Sequence, residues 1–397
     1  MGRFDPRVAA RFDELFDAAE AHGVYVVVSL FAIGFSDDTW RSWADNPYAR
    51  ERGGPAATAR DFFTDARARG GAERRLRYFL DRFGYSSHLL AIDLLNEPEW
   101  DGRIPESLWI PWAEDLAAAT ERLDPYGHLV TAGPVGLHYN LGGDERSWYD
   151  SPYDDLVQWH LYGAATYEPR AHALEMTRKV DETRESGKPV FCGEFAYGGE
   201  DPATYDHTHT GLLALAFSGA GAVAHRAPPF NVDSDELMTP ERGRQFGVLA
   251  DFLAGLDWDR GLAPRHDAGV PPEALHVWEL GAPDYRALWL LGPARGYGAP
   301  VAGARVTVRG LPAGRYTVEW SDDVSGLLVA AWRLDHPGGE ASLVVPTFVR
   351  HLAGRVTPTY PRPACAGTTA GAAQKPRAPA RSRPAPAGGL PVAARGR

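Results

Sequence analysis

The amino-acid sequence predicts an α/β fold, an N-terminally incomplete barrel followed by a small antiparallel β-sandwich and a disordered tail. Over the first two-thirds, apolar β-rich runs alternate with stretches of helical periodicity, which is the pattern of a parallel sheet covered by helices. Short strands separated by Gly and Pro follow, and the Pro/Ala/Arg-rich C-terminus has no periodicity. The predicted regions are a barrel domain (1–258), a β-sandwich domain (259–358) and a disordered tail (359–397).

Six apolar runs of the first region have the composition of buried parallel strands. They are residues 24–30, 89–96, 129–132, 156–161, 189–194 and 219–224. Helices are predicted for residues 74–83, 111–123, 171–186 and 240–256, and the chain opens with an amphipathic helix. A closed barrel of this class has eight strands, and each βα unit takes about 30 residues. We therefore predict that two N-terminal units of the barrel are missing.

The second region has the alternation of antiparallel strands. Residues 305–309 and 316–320 alternate apolar and polar side chains on either side of the turn sequence LPAG. This arrangement predicts a β-hairpin within the sandwich.

Composition excludes several classes of function. The net charge is −11, and the tail carries seven basic and no acidic residues, so the folded part is strongly acidic and nucleic acid is not an expected partner. No apolar run reaches the ~20 residues of a membrane span. The two cysteines, Cys192 and Cys365, are not expected to form a disulfide. Most of the 12 tryptophans are expected in the core, and a few are candidate platforms for sugar rings.

Two glutamates stand at the ends of predicted strands, Glu97 in LLNEPEW and Glu194 in GEFAYGG. Chemistry in parallel barrels takes place where strands end, and a carboxyl flanked by apolar side chains is poorly solvated and can donate a proton near neutrality. Alone, Asn96-Glu97-Pro98 could equally be a turn that starts a helix. A second strand-end carboxylate across the mouth supplies the pair that glycosidic bond cleavage requires.

These two segments resemble the strand-four and strand-seven motifs of retaining glycoside hydrolases of the family five type, the cellulase- and mannanase-like (β/α)8-barrel clan. Two predicted strands lie between them, as that placement requires. The resemblance implies a (β/α)8 TIM-type barrel and cleavage of β-glycosidic bonds in β-mannan or β-glucan by double displacement. It covers about residues 5–258.

The resemblance also implies roles for single residues. Glu97 would be the acid/base and Glu194 the nucleophile, while Asn96 would bond the sugar 2-hydroxyl. His160 and Tyr162 match the family's His-x-Tyr; His160 would point inward beside the glutamates and Tyr162 would hold the nucleophile. For His160, an ordinary core histidine is the alternative.

Other residues near these segments have different expected roles. Trp40, Trp43 and Trp100 follow predicted strands on the catalytic side, and one of them is expected to be a sugar platform. Asp93 is expected to be a hydrogen-bonded structural acid and Glu99 a solvated loop residue. Strict alternation places Gln158 with His160 on one face of its strand, opposite Trp159.

The same alternation places Cys192 beneath Glu194, where a buried, inert thiol is expected. His207-Thr208-His209 is interpreted as a polar loop without a third metal ligand. No cofactor and no metal are predicted.

Two departures from the family pattern leave a second hypothesis open. No equivalent of the family's substrate-binding arginine is present, and residues 219–224 are followed by HRAPP rather than by the family's tryptophan. The alternative is therefore a catalytically impaired, carbohydrate-binding remnant, and transglycosylation also remains open. The expected partner is an oligo- or polysaccharide bound by a monomer. The cellular location is unknown; family habit implies an extracellular protein, although the given chain has no signal peptide.

Overall fold

The computed structural model describes residues 2–32, 34–35, 42–101, 104–133, 148–162, 168–196, 206–222, 239–266, 268–270 and 275–359, without the side chains of residues 100, 101, 196 and 222. The expected tail, Trp40, the end of the sixth predicted strand and the HRAPP segment lie outside these residues. No helix among them is both long and apolar enough to cross a membrane.

The first part of the chain alternates strands and helices as predicted. Its strands are β1 (Val26–Ser29), β2 (Leu89–Asn96), β3 (Leu129–Gly133), β4 (Val157–Tyr162), β5 (Val190–Ala196) and β6 (Gly221–Ala222). Its helices are α1 (Pro6–His22), α2 (Ala59–Thr64), α3 (Ala66–Phe83), α4 (Pro98–Asp101), α5 (Glu106–Leu123), α6 (Pro169–Arg184), α7 (Asp206–Phe217) and α8 (Pro240–Ala254). All six predicted strands and all five predicted helices are confirmed where they are described, whereas α2, α4 and α7 were not predicted.

Local chemistry explains where the first helix begins and ends. The side chain of Asp5 accepts a hydrogen bond from the backbone N–H of Arg7, and Pro6 occupies the first helical position, where its missing N–H costs nothing. Gly23 ends the helix in the left-handed conformation, with φ 67°.

The six strands are parallel and follow chain order in two ladders, β1–β2–β3 and β4–β5–β6. Backbone and side-chain hydrogen bonds join the ladders. Asp155 donates its backbone N–H to the carbonyl of Val130 over 2.9 Å, and its carboxylate accepts the N–H of Val130 at 3.0 Å. Thr131 Oγ1 donates to the carbonyl of Leu156 at 2.9 Å. The strand ends of both ladders are thereby held beside one another.

Antiparallel strands make up the rest of the described chain. They are β7 (Ala263–Arg265), β8 (His276–Ala282), β9 (Tyr285–Leu291), β10 (Pro300–Val301), β11 (Arg305–Leu311), β12 (Gly314–Ser321), β13 (Leu328–His336), β14 (Gly339–Val344), β15 (Phe348–Val349) and β16 (His351–Pro358). A six-stranded sheet has the order β13-β12-β16-β9-β8-β7, and β11–β14 and β10–β15 form two-stranded ribbons.

The predicted hairpin is wrong, because β11 and β12 pair in different sheets. Alternation and a turn sequence specify that each segment is a strand, but the partner of each strand depends on contacts distant in sequence.

Two apolar cores share strand β9 by period-two alternation. Ala287, Trp289 and Leu291 belong to the core that includes the barrel helices, whereas Leu288 and Leu290 belong to the core inside the antiparallel region. Residues 1–358 accordingly form one compact unit. The predicted boundary at residue 258 stays a prediction.

A buried ionic cluster joins α7 to the antiparallel strands. One carboxylate oxygen of Asp323 accepts from His351 Nδ1 at 2.6 Å, and the other accepts from His209 Nε2 at 3.1 Å and from Trp289 Nε1 at 2.9 Å. The interpretation of residues 207–209 as a polar loop is wrong. They lie buried on α7, and ligand-type atoms of Asp323 and His351 approach that of His209 within 4.8 Å.

Acidic and basic side chains alternate in this cluster, so that their charges offset one another. Asp206 at the start of α7 pairs with Arg350 at 3.0 Å and lies 3.6 Å from His351. Burial by itself would lower the pKa of His351, but the charges and hydrogen bonds of Asp323 and Asp206 raise it to about 9. The neighbouring histidines in turn hold the pKa of Asp323 far below its usual range against the effect of burial.

We predict a pH-dependent loss of stability for His351→Gln. A histidine whose folded pKa lies above its unfolded value of about 6.5 contributes stability that is complete below that value and disappears as the pH rises through about 9. The variant leaves a buried carboxylate short of its partner, which costs about 3–5 kcal/mol. Urea unfolding at pH 6 and pH 10 should therefore show a large difference from the parent protein at pH 6 and a small one at pH 10.

The exposed His22, replaced in the same way, is the matched control and should change little at either pH. An equal loss for His351→Gln at both values would contradict the role of the charged pair.

Candidate active site

The candidate site lies where β2, β4 and β5 end. Glu97 follows β2 directly, His160 and Tyr162 are on β4, and Glu194 is on β5. His160 Nδ1 lies 2.6 Å from Glu97 Oε1 and 3.8 Å from Glu194 Oε2, and Tyr162 donates its hydroxyl to Glu194 Oε2. The residues predicted from two separate sequence segments are thus brought together around one imidazole ring.

The two carboxylates are close. One oxygen of Glu97, one oxygen of Glu194 and one ring nitrogen of His160 all lie within 4.8 Å of one another. The Glu97 side chain is 12% exposed and that of Glu194 is 25% exposed, so both are reachable from solvent while the imidazole between them is buried. Of these two carboxylates, the imidazole is hydrogen-bonded to that of Glu97 only, and Glu194 is held by Tyr162.

His160 is a cation at neutral pH. Burial would lower its pKa, but the charges of Glu194, Glu97 and Asp93, together with the hydrogen bond to Glu97, raise it to about 9. Burial and the negative charge of Glu194 also raise the pKa of Tyr162, so the phenol keeps its proton and acts as a donor. His160 is buried like a core histidine, and Glu97 and Glu194 lie 2.6 Å and 3.8 Å from its Nδ1.

A β-bulge aims Glu194 at the site. In the register of β4 with β5, Trp159 stands opposite Cys192 and His160 opposite Glu194, so Gly193 is an extra residue. Strict alternation would place Cys192 and Glu194 on the same face, but the extra residue places Cys192 with Trp159 and Glu194 with His160. The expectation that Cys192 lies beneath Glu194 is therefore wrong. Cys192 is nevertheless buried, and burial raises its thiol pKa well above the usual value.

A second bulge does the same for β2. Asp93 stands opposite Thr131 and Asn96 opposite Gly133, so three steps along β2 correspond to two along β3. The shift puts Asn96 on the face of Gly133. Its amide oxygen would lie 3.4 Å from a β-carbon at Gly133.

Glu97 itself has a strained backbone. Its φ of 48° is in the left-handed region, which costs a residue with a side chain about 1–3 kcal/mol. Its N–H donates to the carbonyl of Gly133 at 2.7 Å, which helps to hold this conformation. Backbone strain of this kind is concentrated at functional sites, where it fixes the direction of a side chain.

The floor of the site contains residues to which sequence analysis gave no role. A β-carbon at Gly133 would lie 2.2 Å from Gln158 Nε2, and one at Gly193 would lie 2.9 Å from Gln158 Cδ. A side chain at either position would therefore displace Gln158. A glycine inside a strand is the sequence signal for such close approach.

Asp93 is a hydrogen-bonded buried acid, as expected. It accepts from Ser29 Oγ at 2.6 Å and from the N–H of Gly133 at 3.1 Å, which ties β1, β2 and β3 together below the site. Burial raises its pKa to about 6.

Other predicted residues have different positions. Trp43 is buried, stacks on Phe35 and donates its indole N–H to the carbonyl of Ala57, so it belongs to the core and not to a sugar platform. Trp100 is on α4, but its side chain is outside the described atoms, as is all of Trp40. Glu99 is half-buried on α4 and not on a solvated loop. The expectation that most tryptophans are in the core is confirmed by eight that are buried: Trp43, Trp109, Trp112, Trp148, Trp159, Trp278, Trp289 and Trp320.

Comparison with known proteins agrees with this geometry. The family model described as cellulase (glycosyl hydrolase family 5) matches residues 1–217. Over 230 residues the chain is 27% identical to a probable mannan endo-1,4-beta-mannosidase A of Aspergillus flavus, which covers 53% of this chain and 55% of that protein. It is 25% identical over 203 residues to mannan endo-1,4-beta-mannosidase A of Podospora anserina, covering 48% and 52%. The chain spans about half the length of these curated relatives.

Solved structures show the same fold. A glycoside hydrolase superposes with a TM-score of 0.55 at 13% identity over 90% of both chains, and a family 5 glycoside hydrolase from Bacteroides vulgatus with 0.53 at 13% identity over 87% of this chain and 74% of that one. The fold that the chain shares with these structures is a TIM barrel. Because the family model matches more than half of the chain, the protein belongs to glycosyl hydrolase family 5.

Proposed function

We propose that this protein hydrolyses β-glycosidic bonds of a polysaccharide by a retaining double displacement. The observation that carries the proposal is the pair of carboxylates, Glu97 and Glu194, one oxygen of each lying within 4.8 Å of one oxygen of the other. A separation of about 5–5.5 Å suits a nucleophile and a proton donor on one sugar, whereas inverting enzymes need about 6.5–9.5 Å to admit a water.

In the first step, a carboxylate oxygen of Glu194 attacks the anomeric carbon. The bond from that carbon to the glycosidic oxygen breaks, and the leaving oxygen receives, through Glu97, the proton that Glu97 shares with His160 Nδ1. The hydroxyl of Tyr162 holds Glu194 in place, and the cationic His160 lies between the two glutamates.

In the second step, a water attacks the anomeric carbon of the glycosyl-enzyme and gives a proton to Glu97, which frees Glu194. Esterified Glu194 carries no negative charge, so Glu97 no longer has an anion as its neighbour. A sugar hydroxyl in place of the water would give transglycosylation from the same intermediate.

β-1,4-Linked mannan is the first polymer to test, because the curated relatives are mannan endo-1,4-beta-mannosidases. Asn96, which β2 directs toward the site, is proposed to bond the 2-hydroxyl of the reacting sugar.

We predict that Glu194→Gln and Glu97→Gln fail in different ways. Without the nucleophile, turnover of mannan and of all aryl β-glycosides should be abolished. Without the acid/base, activity should fall about 10²–10⁴-fold on mannan, and the first step should be spared for aryl glycosides whose leaving group needs no proton. Initial rates and the burst of released phenol measure both.

Glu51→Gln is the matched control, since it removes an exposed carboxylate and should keep the parent rate. Parent-like turnover by Glu194→Gln would refute the assignment. Polysaccharide binding without hydrolysis by the parent protein would favour the alternative of a carbohydrate-binding remnant.

We predict that Tyr162→Phe lowers kcat with little change in KM. A hydrogen bond to a charged group contributes about 1.5–3 kcal/mol, so loss of the bond that positions Glu194 should cost about 10- to 150-fold. Steady-state kinetics on an aryl β-mannoside give the two constants.

Tyr126→Phe, at an exposed tyrosine, is the control for loss of a phenol. A changed KM with an unchanged kcat would mean that Tyr162 binds substrate and does not hold the nucleophile.

A further inference from the structure

The second nitrogen of His160 is buried and has no hydrogen-bond partner among the described residues. Nδ1 pairs with Glu97, whereas Nε2 faces the floor of the site. A protonated imidazole has two N–H donors, and a buried donor without an acceptor is destabilising. His160 therefore needs an acceptor below it.

Gln158 is placed to supply this acceptor. It lies two residues before His160 on β4, on the same inward face, and it is 3% exposed. Its amide oxygen is also buried without a partner among the described residues. An unpaired donor and an unpaired acceptor thus stand side by side on one strand.

Two glycines leave the space that these two side chains occupy. A β-carbon at Gly133 would lie 2.2 Å from Gln158 Nε2 and 3.2 Å from His160 Nε2. A β-carbon at Gly193 would lie 2.9 Å from Gln158 Cδ and 3.0 Å from His160 Nε2. The amide of Gln158 and Nε2 of His160 therefore both lie close to Gly133 on β3 and to Gly193 on β5.

We propose that Gln158 is a positioning residue whose side-chain amide, turned about its last bond, accepts a hydrogen bond from Nε2–H of His160. The ring is then held at both nitrogens, by Glu97 above and Gln158 below. Gln158 touches no substrate and acts through His160. The catalytic consequence rests on the proposed function, whereas the hydrogen bond itself does not.

The charged groups that face His160 are Glu97, Glu194 and Asp93, and all three favour its cationic form. An acceptor at Nε2 adds to the same preference, because the neutral ring has only one N–H to donate. Removing the acceptor should shift the titration of His160 downward, and placing a carboxylate there should shift it upward.

The test uses the full chain labelled with ¹⁵N-histidine. The titration of the His160 ring is followed by NMR and identified by its disappearance in His160→Gln. Gln158→Leu keeps much of the bulk but removes the acceptor, and it should lower the pKa of His160 by about one unit. Gln158→Glu should raise it. Gln245→Leu makes the same change at a buried glutamine of α8 and should leave His160 as in the parent.

The alkaline limb of kcat/KM should move in the same directions as the NMR titration. If His160 has the same pKa in Gln158→Leu as in the parent protein, the proposal is overturned. If Gln158→Leu does not fold, as judged by far-UV circular dichroism, Gln158→Met replaces it. Absence of an upward shift in the pKa of His160 in Gln158→Glu would also contradict the proposal. A chain without hydrolytic activity would refute the proposed function but leave the NMR result decisive for this hydrogen bond.

Discussion

The contact between His160 and the two glutamates is the interaction on which the arrangement of the site depends. Glu97 and Glu194 come from strands of different ladders, and two carboxylates at this distance repel one another unless a cation lies between them. The buried imidazole provides that cation. The high pKa of His160 and the short distance between the two glutamates have the same cause. The cation attracts both carboxylates in a place where water does not screen the charges.

Backbone irregularities direct these side chains. A regular strand turns successive residues to opposite faces, so a carboxylate placed by alternation alone would face the helices as often as the site. An extra residue in β2 and another in β5 reverse the alternation just before Asn96 and Glu194. In β5 the extra residue is Gly193, which also has the room that Gln158 and His160 need. One glycine thus serves both the direction of the Glu194 side chain and the packing beneath it.

The antiparallel region is joined to the barrel by polar as well as apolar contacts. Asp323 receives hydrogen bonds from a helix of the barrel and from two strands of the large sheet. Buried charges of this kind stabilise only if every partner is present, so they fix how the two packing layers meet. The helix involved, α7, is the next described element after β5, which carries Glu194.

The sequence by itself determined the strands and helices of the first part, the antiparallel character of the second, and the two glutamates of the site. Each of these depends on local patterns: apolar runs of strand length, helical periodicity, and carboxylates at strand ends next to apolar residues. Only the tertiary structure decided which strand pairs with which, as the separation of β11 from β12 shows, and which face a residue occupies after a bulge, as Cys192 shows. It also decided that Trp43 and His209 are buried and that the side chains of Gln158 and His160 both lie close to Gly133 and Gly193. The physical reason is that pairing, register and burial are set by residues far apart in the chain, and no local pattern contains that information.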